Sequence, residues 1–163
     1  MAERPAGHCA LVRQLYEEHV ASLYRYAVML MADATAAEDV VQQVFTSLLR
    51  HPRRIDNPTH YLRRAVRNEC YSQLRERQRA ALDHEARLLE SVEPTDMAPD
   101  ERIALERAIR DLSIEQREVV HLHVFEGWTF QQIADASDMS INTITARYRY
   151  ALEKLRRILT RYV

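Results

Sequence analysis

Glycine is almost absent from this chain of 163 residues, which has only Gly7 and Gly127, and just five prolines punctuate it further. Alternation of apolar and polar residues is scarce, while the helix formers Ala, Leu, Arg, Glu and Gln are common, so an all-α fold is expected. Cysteine is equally sparse. Cys9 and Cys70 imply no disulfide framework and fit a reducing compartment. No apolar run approaches the ~20 residues of a membrane span, and the opening MAERPAGHCA has no signal-peptide core, so a soluble, cytoplasmic protein is expected. There is no glycine-rich loop to cradle a phosphate, and Cys70 has no partner pattern for nucleophilic catalysis. The sequence offers little sign of enzyme chemistry, and no cofactor or metal site is expected.

Net charge is −1, which alone argues against a nucleic-acid binder. Divided by segment it says something else. Residues 47–80 hold nine arginines against three acidic residues, and residues 138–161 hold six basic against two acidic. Between these basic stretches, residues 81–105 hold seven acidic residues against two arginines. Near-neutrality therefore conceals two basic patches, as two separate DNA contacts would produce, although charged helix faces are more often simply solvated.

The most informative stretch is TFQQIADASDMSINTITARYRYALEKLRR, residues 129–157. Thr129 with Gln132 makes a capping box for a short helix with Phe130, Ile133, Ala134 and Ser137 on one face. Ser140 is a second N-cap, opening a longer helix whose Ile141, Ile144, Tyr148, Ala151, Leu155 and Ile158 form the core stripe. Asp138 lies between them, where the turn asks for a left-handed residue, and Asp accepts that conformation better than most. This is the pattern of a helix-turn-helix. Asn142, Thr143, Thr145, Ala146, Arg147, Arg149 and Tyr150 lie away from the stripe. Short polar groups near a helix start suit phosphates, and the arginines suit either guanine or phosphate. The plainer alternative is a helical hairpin with a solvated basic face.

Upstream, residues 11–79 read as three or four helices. Leu11, Leu15, Val20, Leu23, Tyr24, Ala27 and Leu30 give the first stripe. Thr35 with Glu38 reads as a capping box for the second helix, whose Val40, Val41, Val44, Phe45 and Leu48 point inward. Asn57-Pro58 starts a third, with Tyr61, Leu62, Ala65, Val66, Cys70 and Leu74 inward. Residues 80–100 lose periodicity and gain Pro94, Pro99 and acidic residues, which marks a flexible linker, helical at most as far as Leu89. A second block then opens with ERIALERAIRDL, followed by Ser113 and Gln116 as the capping box of IEQREVVHLHVFEG. Two small helical domains on a flexible tether, residues 1–79 and 101–163, are expected, the second carrying the helix-turn-helix.

Three segments in this order, LYRYAVMLMADATAAEDVVQQVF, NPTHYLRRAVRNECYSQLRERQ and DLSIEQREVVHLHVFEGWTFQQIADASDMSINTITARYRYALEKLR, resemble the bacterial sigma factors of the extracytoplasmic-function (ECF) type. The resemblance spans about residues 11–79 and 101–160. It implies an alternative sigma factor that binds core RNA polymerase and directs transcription initiation by reading −10 and −35 promoter elements, without catalysis of its own. It implies as partners the clamp helices and flap region of the polymerase large subunits, promoter DNA as duplex at −35 and melted strand at −10, and an anti-sigma factor.

Carried onto this chain, the resemblance implies polymerase binding by Asp39, Gln42, Gln43 and Phe45, in the family's AED-x-x-Q-x-x-F pattern. Of these, Phe45 also reads as core. It implies −10 recognition by Tyr61, where the family usually has Trp, with Arg64 and Asn68; aromatic and Asn groups beside arginines suit single-stranded bases. The loop from Pro52 to Asn57 resembles the segment that selects a flipped −10 base. Thr145, Ala146 and Arg149 resemble the −35 base readers, and Asn142, Thr143 and Arg147 the phosphate and groove-wall contacts. The chain departs from the family at Asp138 and Asn142, where Gly is frequent, and at Tyr150, where a basic residue is common.

Rival readings are a stand-alone transcription regulator, a purely protein-binding helical adaptor, and a metalloenzyme built on His121 and His123 with Glu118 or Glu126. The basic RNEC region and the AED pattern argue against the regulator. His121 and His123 are two residues apart and face different sides of a helix, unlike the i, i+4 pairs that hold metals.

Overall fold

The computed structural model describes residues 6–85 and 101–160. All regular structure among them is helical, and the chain divides into two compact units, Met1–Leu88 and Leu89–Val163.

The first unit is a three-helix assembly of α1 (Ala6–Met31), α2 (Ala34–Arg50) and α3 (Pro58–Glu85), each packed on the other two. Its α2 follows the sequence expectation closely: Val40, Val41, Val44, Phe45 and Leu48 are all buried. They meet Leu23, Ala27 and Leu30 of α1 and Leu62, Val66 and Cys70 of α3 in the same core. Burying side chains of this size stabilises by about 1.5–3 kcal/mol each before entropy is charged against it. Tyr61, Ala65 and Leu74, also expected inward on α3, are half-buried at its edge.

Two details of α1 differ from expectation. Leu11 is 44% exposed and Tyr24 is also exposed, while Val12, Tyr26 and Met31 are buried. The buried residues Leu23, Tyr26, Ala27 and Leu30 recur at i, i+3, i+4 and i+7, and Tyr24 falls one step outside that stripe. A tyrosine is amphipathic enough to satisfy either assignment from sequence. The packed stripe takes in Tyr26, and the Arg63 guanidinium lies 5.4 Å from its ring.

The start of α2 is a second correction. Its N-cap is Asp33, whose carboxylate accepts from the Ala36 N–H at 3.0 Å, and not Thr35. Ala32 takes a left-handed conformation (φ 52°) directly after α1 and reverses the chain at once, so the helix opens before Thr35 can cap it. Asp33 also accepts from Arg77 of α3 at 3.3 Å. The Ala36 N–H, and after it the Arg77 guanidinium, hold the Asp33 carboxyl below the usual carboxylate range. A carboxyl with a lowered folded-state pKa contributes stability above its unfolded value, and loses it as pH falls through the folded one. Asp33→Ala is therefore expected to lower the stability of this unit by about 1 kcal/mol at pH 7. The gap should narrow below about pH 4. Thermal melts of both proteins across that range check it, and a gap unchanged at pH 3 would count against the ionic cap.

α3 begins as the Asn57-Pro58 pair suggests. Asn57 Oδ1 accepts from the His60 N–H at 3.0 Å, and Pro58 occupies the first helical position, where a missing N–H costs nothing. The helix continues beyond Arg79 to Glu85. The remainder of the expected linker lies outside the described residues.

The second unit contains α4 (Glu101–Arg110), α5 (Ile114–Val120), α6 (Phe130–Ser137) and α7 (Ile141–Leu159). The other three helices pack against α7, whose Ile144 and Ala151 share the core with Ala108, Leu112, Val119, Val120, Leu122, Ile133 and Ala134. Tyr148, Leu155 and Ile158 are half-buried, and Ile141 is 43% exposed. Ile141, expected on the core stripe, is the first residue of α7 and projects beyond the end of the packed face. The Ser113–Gln116 capping box is present in full, Ser113 accepting from the Gln116 N–H and Gln116 from the Ser113 N–H.

Candidate nucleic-acid interface

α5 ends in a feature that periodicity did not reveal, a π-helical turn over His121–Phe125. The Glu126 N–H donates to the His121 carbonyl, the Trp128 N–H donates to Leu122, and Gly127 adopts φ 70°. This extra residue in the helix re-aims the chain into Thr129. It also employs both histidines. His121 Nε2 lies 3.3 Å from Glu126 Oε1. His123 Nδ1 lies 2.7 Å from the Trp128 carbonyl, which can only accept, so Nδ1 carries the proton. The His123 ring stacks on Phe130 at 4.3 Å and meets the edge of Tyr148 at 4.9 Å. This aromatic trio braces α6 against α7.

The helix-turn-helix then forms as its punctuation requires. Thr129 accepts from the Gln132 N–H at 3.2 Å, and Gln132 accepts from the Thr129 N–H at 2.8 Å. Asp138 closes α6 in the left-handed region (φ 53°, ψ 48°), and the Met139 N–H returns to the Ala134 carbonyl at 3.0 Å. Ser140 caps α7, accepting from the Thr143 N–H at 3.1 Å. With Ile133 and Ala134 buried against α7, its opposite side is left to solvent.

On that side Asn142, Thr143, Thr145 and Arg149 are exposed, and Ala146 and Arg147 are half-buried. Tyr150 is exposed beside them. Thr145 Oγ1 donates to the Ile141 carbonyl at 2.8 Å. The Arg149 guanidinium lies 5.0 Å from the Tyr150 ring, and its Nε is 4.0 Å from Glu153. The pairing with Glu153 follows the ordinary i, i+4 rule and was legible in the sequence, though it was not anticipated.

In the first unit, Tyr61, Arg64 and Asn68 follow one another at i, i+3 and i+7 on α3. Arg64 and Asn68 are exposed and Tyr61 is half-buried. The preceding loop approaches them, with the Arg53 guanidinium 5.6 Å from the Tyr61 ring. Arg54 pairs with Asp56 at 3.2 Å within the loop. The stacking of Arg53 on Tyr61 carries no periodic signal, since it depends on how the loop folds back.

Asp39, Gln42 and Gln43 are exposed on α2, where Gln42 donates to Glu38 at 3.1 Å. They line an open polar groove of about 600 Å³, with Thr46 and Arg50 further along α2 and Gln73 contributed by α3. Phe45 is elsewhere. It is buried and meets the Tyr16 ring of α1 edge-on at 5.0 Å.

Residues 15–80 match the family model of sigma-70 region 2, and residues 102–155 match that of sigma-70 region 4. The chain is 32% identical over 159 residues to the ECF RNA polymerase sigma factor SigL of Mycobacterium tuberculosis, covering 93% of this chain and 90% of the relative. It belongs to the ECF sigma factors. RNA polymerase sigma factor CarQ of Myxococcus xanthus is 27% identical over 153 residues, 89% of this chain and 87% of that one. Among solved structures, the sigma factor RpoE of Bartonella quintana, crystallised with the anti-sigma factor NepR, matches at TM-score 0.69 and 26% identity. That match covers 91% of this chain and 96% of the other. As an alternative sigma factor, the protein directs promoter-specific transcription initiation.

Proposed function

We propose that the first unit, residues 1–79 in its functional extent, docks on core RNA polymerase and holds the melted −10 strand, and that residues 101–163 read the −35 duplex. Asp39, Gln42 and Gln43 form the polymerase-facing edge of the α2 groove, toward the clamp helices, with Phe45 holding that edge in place. Tyr61 offers a ring for base stacking, Asn68 a donor and acceptor for a base edge, and Arg64 a charge for the backbone. In the second unit Asn142, Thr143 and Arg147 hold phosphates and groove walls, while Thr145, Ala146 and Arg149 face the bases. The polymerase flap is the protein partner of this unit.

The carrying observation is α7: a capped helix with one face buried and an exposed face of short polar residues followed by arginines. A helix so presented fits the major groove. The chain's part is binding and positioning, and the phosphodiester chemistry belongs to the polymerase. No helix among the described residues is long and apolar enough to cross a membrane, and the protein acts in the cytoplasm with the polymerase. An anti-sigma factor, of the kind crystallised with the Bartonella relative, is its regulatory partner.

Run-off transcription with core polymerase and a promoter pool randomised at both elements tests this reading. Discrete −10 and −35 sequences should emerge only when the chain is present. Transcripts without promoter preference would reject it.

A further inference from the structure

The hydroxyl groups at the start of α7 bear on which bases this helix can read. Ser140 Oγ accepts from the Thr143 N–H at 3.1 Å and lies 2.8 Å from Thr143 Oγ1, so the cap engages both hydroxyls. One turn on, Thr145 Oγ1 donates to the Ile141 carbonyl at 2.8 Å. A hydroxyl has one proton, and that of Thr145 is committed to its own helix. Thr145 is nonetheless exposed. Its Cβ carries only the hydroxyl, a methyl and a hydrogen, so turning the hydroxyl onto the backbone leaves the methyl as the main group offered outward. Ala146, the next residue, has a methyl and nothing else.

Two adjacent residues of the proposed base-reading face therefore bring methyl groups and no free donor. Guanine and adenine present N7, and guanine also O6, as acceptors in the major groove, and reading these requires a donor. Thymine alone presents a methyl, at C5, and threonine and alanine methyls are suitable partners for it. We propose that Thr145 and Ala146 make this sigma factor select thymine at the −35 base pairs they face, through methyl–methyl contact. The inference rests on α7 being the −35 reader, and it adds the base chemistry that the reader selects. Of the base-facing residues proposed above, that leaves Arg149 as the donor for other bases.

The test uses the full chain with core polymerase. A promoter pool randomised at −35 is selected by run-off transcription, and each selected thymine, on either strand, is then replaced singly by deoxyuridine. Deoxyuridine keeps the pairing and removes only the C5 methyl. At one or two positions the replacement should lower promoter use about threefold to fivefold, the worth of one buried methyl. Thr145→Ser keeps the hydroxyl and removes the methyl, so it should erase the thymine-to-deoxyuridine ratio at one of these positions. Thr145→Val keeps a methyl without the hydroxyl and should preserve that ratio, and Ala146→Gly should erase it at the neighbouring position. A selected −35 element that tolerates deoxyuridine everywhere overturns the inference while leaving α7 as the reader. So does a ratio that survives in Thr145→Ser but vanishes in Thr145→Val, which would assign recognition to the hydroxyl oxygen. A pool with no −35 preference at all overturns both this inference and the function it rests on.

Discussion

Replacing Arg147 and Arg149 together with alanine is expected to reduce −35-dependent transcription by about 100-fold or more, because one well-made arginine contact to a base discriminates by about 1–3 kcal/mol. The two side chains contribute differently. Arg149 is exposed, and the Tyr150 ring and Glu153 hold its guanidinium near the helix surface, which reduces what must be ordered on binding. Arg147 is half-buried, so part of its stem already packs on the protein, and its proposed part is to hold phosphate or groove wall. A phosphate contact and a base contact separate experimentally. Loss of a phosphate contact weakens all sequences alike and flattens the salt dependence, whereas loss of a base contact relaxes preference at one position. Arg149→Lys keeps the charge but not the planar fork, so it should relax specificity more than it lowers affinity. Core polymerase binding through the first unit, as proposed above, should be largely retained in both variants. Unchanged promoter use by the double alanine variant would mean that α7 does not read DNA through these residues.

A comparable effect is expected from the opposite unit. Asp39→Arg combined with Gln43→Ala should weaken binding to core polymerase by roughly 100-fold, since reversing a charge in a complementary interface costs several kcal/mol through like-charge juxtaposition. Both residues are exposed on the outer face of α2, one turn apart, while Val40, Val41 and Val44 face the core. Surface changes of this kind ordinarily alter stability by no more than about 0.5 kcal/mol, so lost binding would not reflect unfolding. Phe45→Ala is the instructive contrast. It should also reduce binding, but with a thermal midpoint lowered by a cavity worth about 3–5 kcal/mol, because Phe45 lies beneath the surface against Tyr16. Competition for core polymerase, read beside thermal melts, distinguishes the two. Full affinity in the Asp39/Gln43 variant would remove the α2 groove from the polymerase interface.

The same contrast marks how far sequence carries. Phe45 fits both the family motif and the core stripe, and the structure buries it against Tyr16. Tyr24 and Tyr26 are equally tolerable on an amphipathic helix, and the phase that buries Leu23, Ala27 and Leu30 takes Tyr26 in with them. Thr35 and Asp33 are both competent caps, and the left-handed Ala32 selects between them. In each case the sequence left two chemically adequate readings open, and the folded chain made the choice.

Local chemistry was enough elsewhere. Ser113 with Gln116, Thr129 with Gln132, Ser140 and Asn57-Pro58 start their helices where they stand, because a cap satisfies backbone N–H groups within three residues of itself. The stripe of α2 and the left-handed Asp138 were legible for the same reason: periodicity and φ preference act over one or two turns. By itself, then, the sequence determined an all-helical chain, most of its helix boundaries, and a motif order that marks the ECF sigma factors. Only the tertiary structure decided the π-helical turn that aims α6, the Arg53–Tyr61 stack, the groove shared by α2 and Gln73, and the exposure of Ile141. These depend on contacts between elements, whose energies no local pattern encodes.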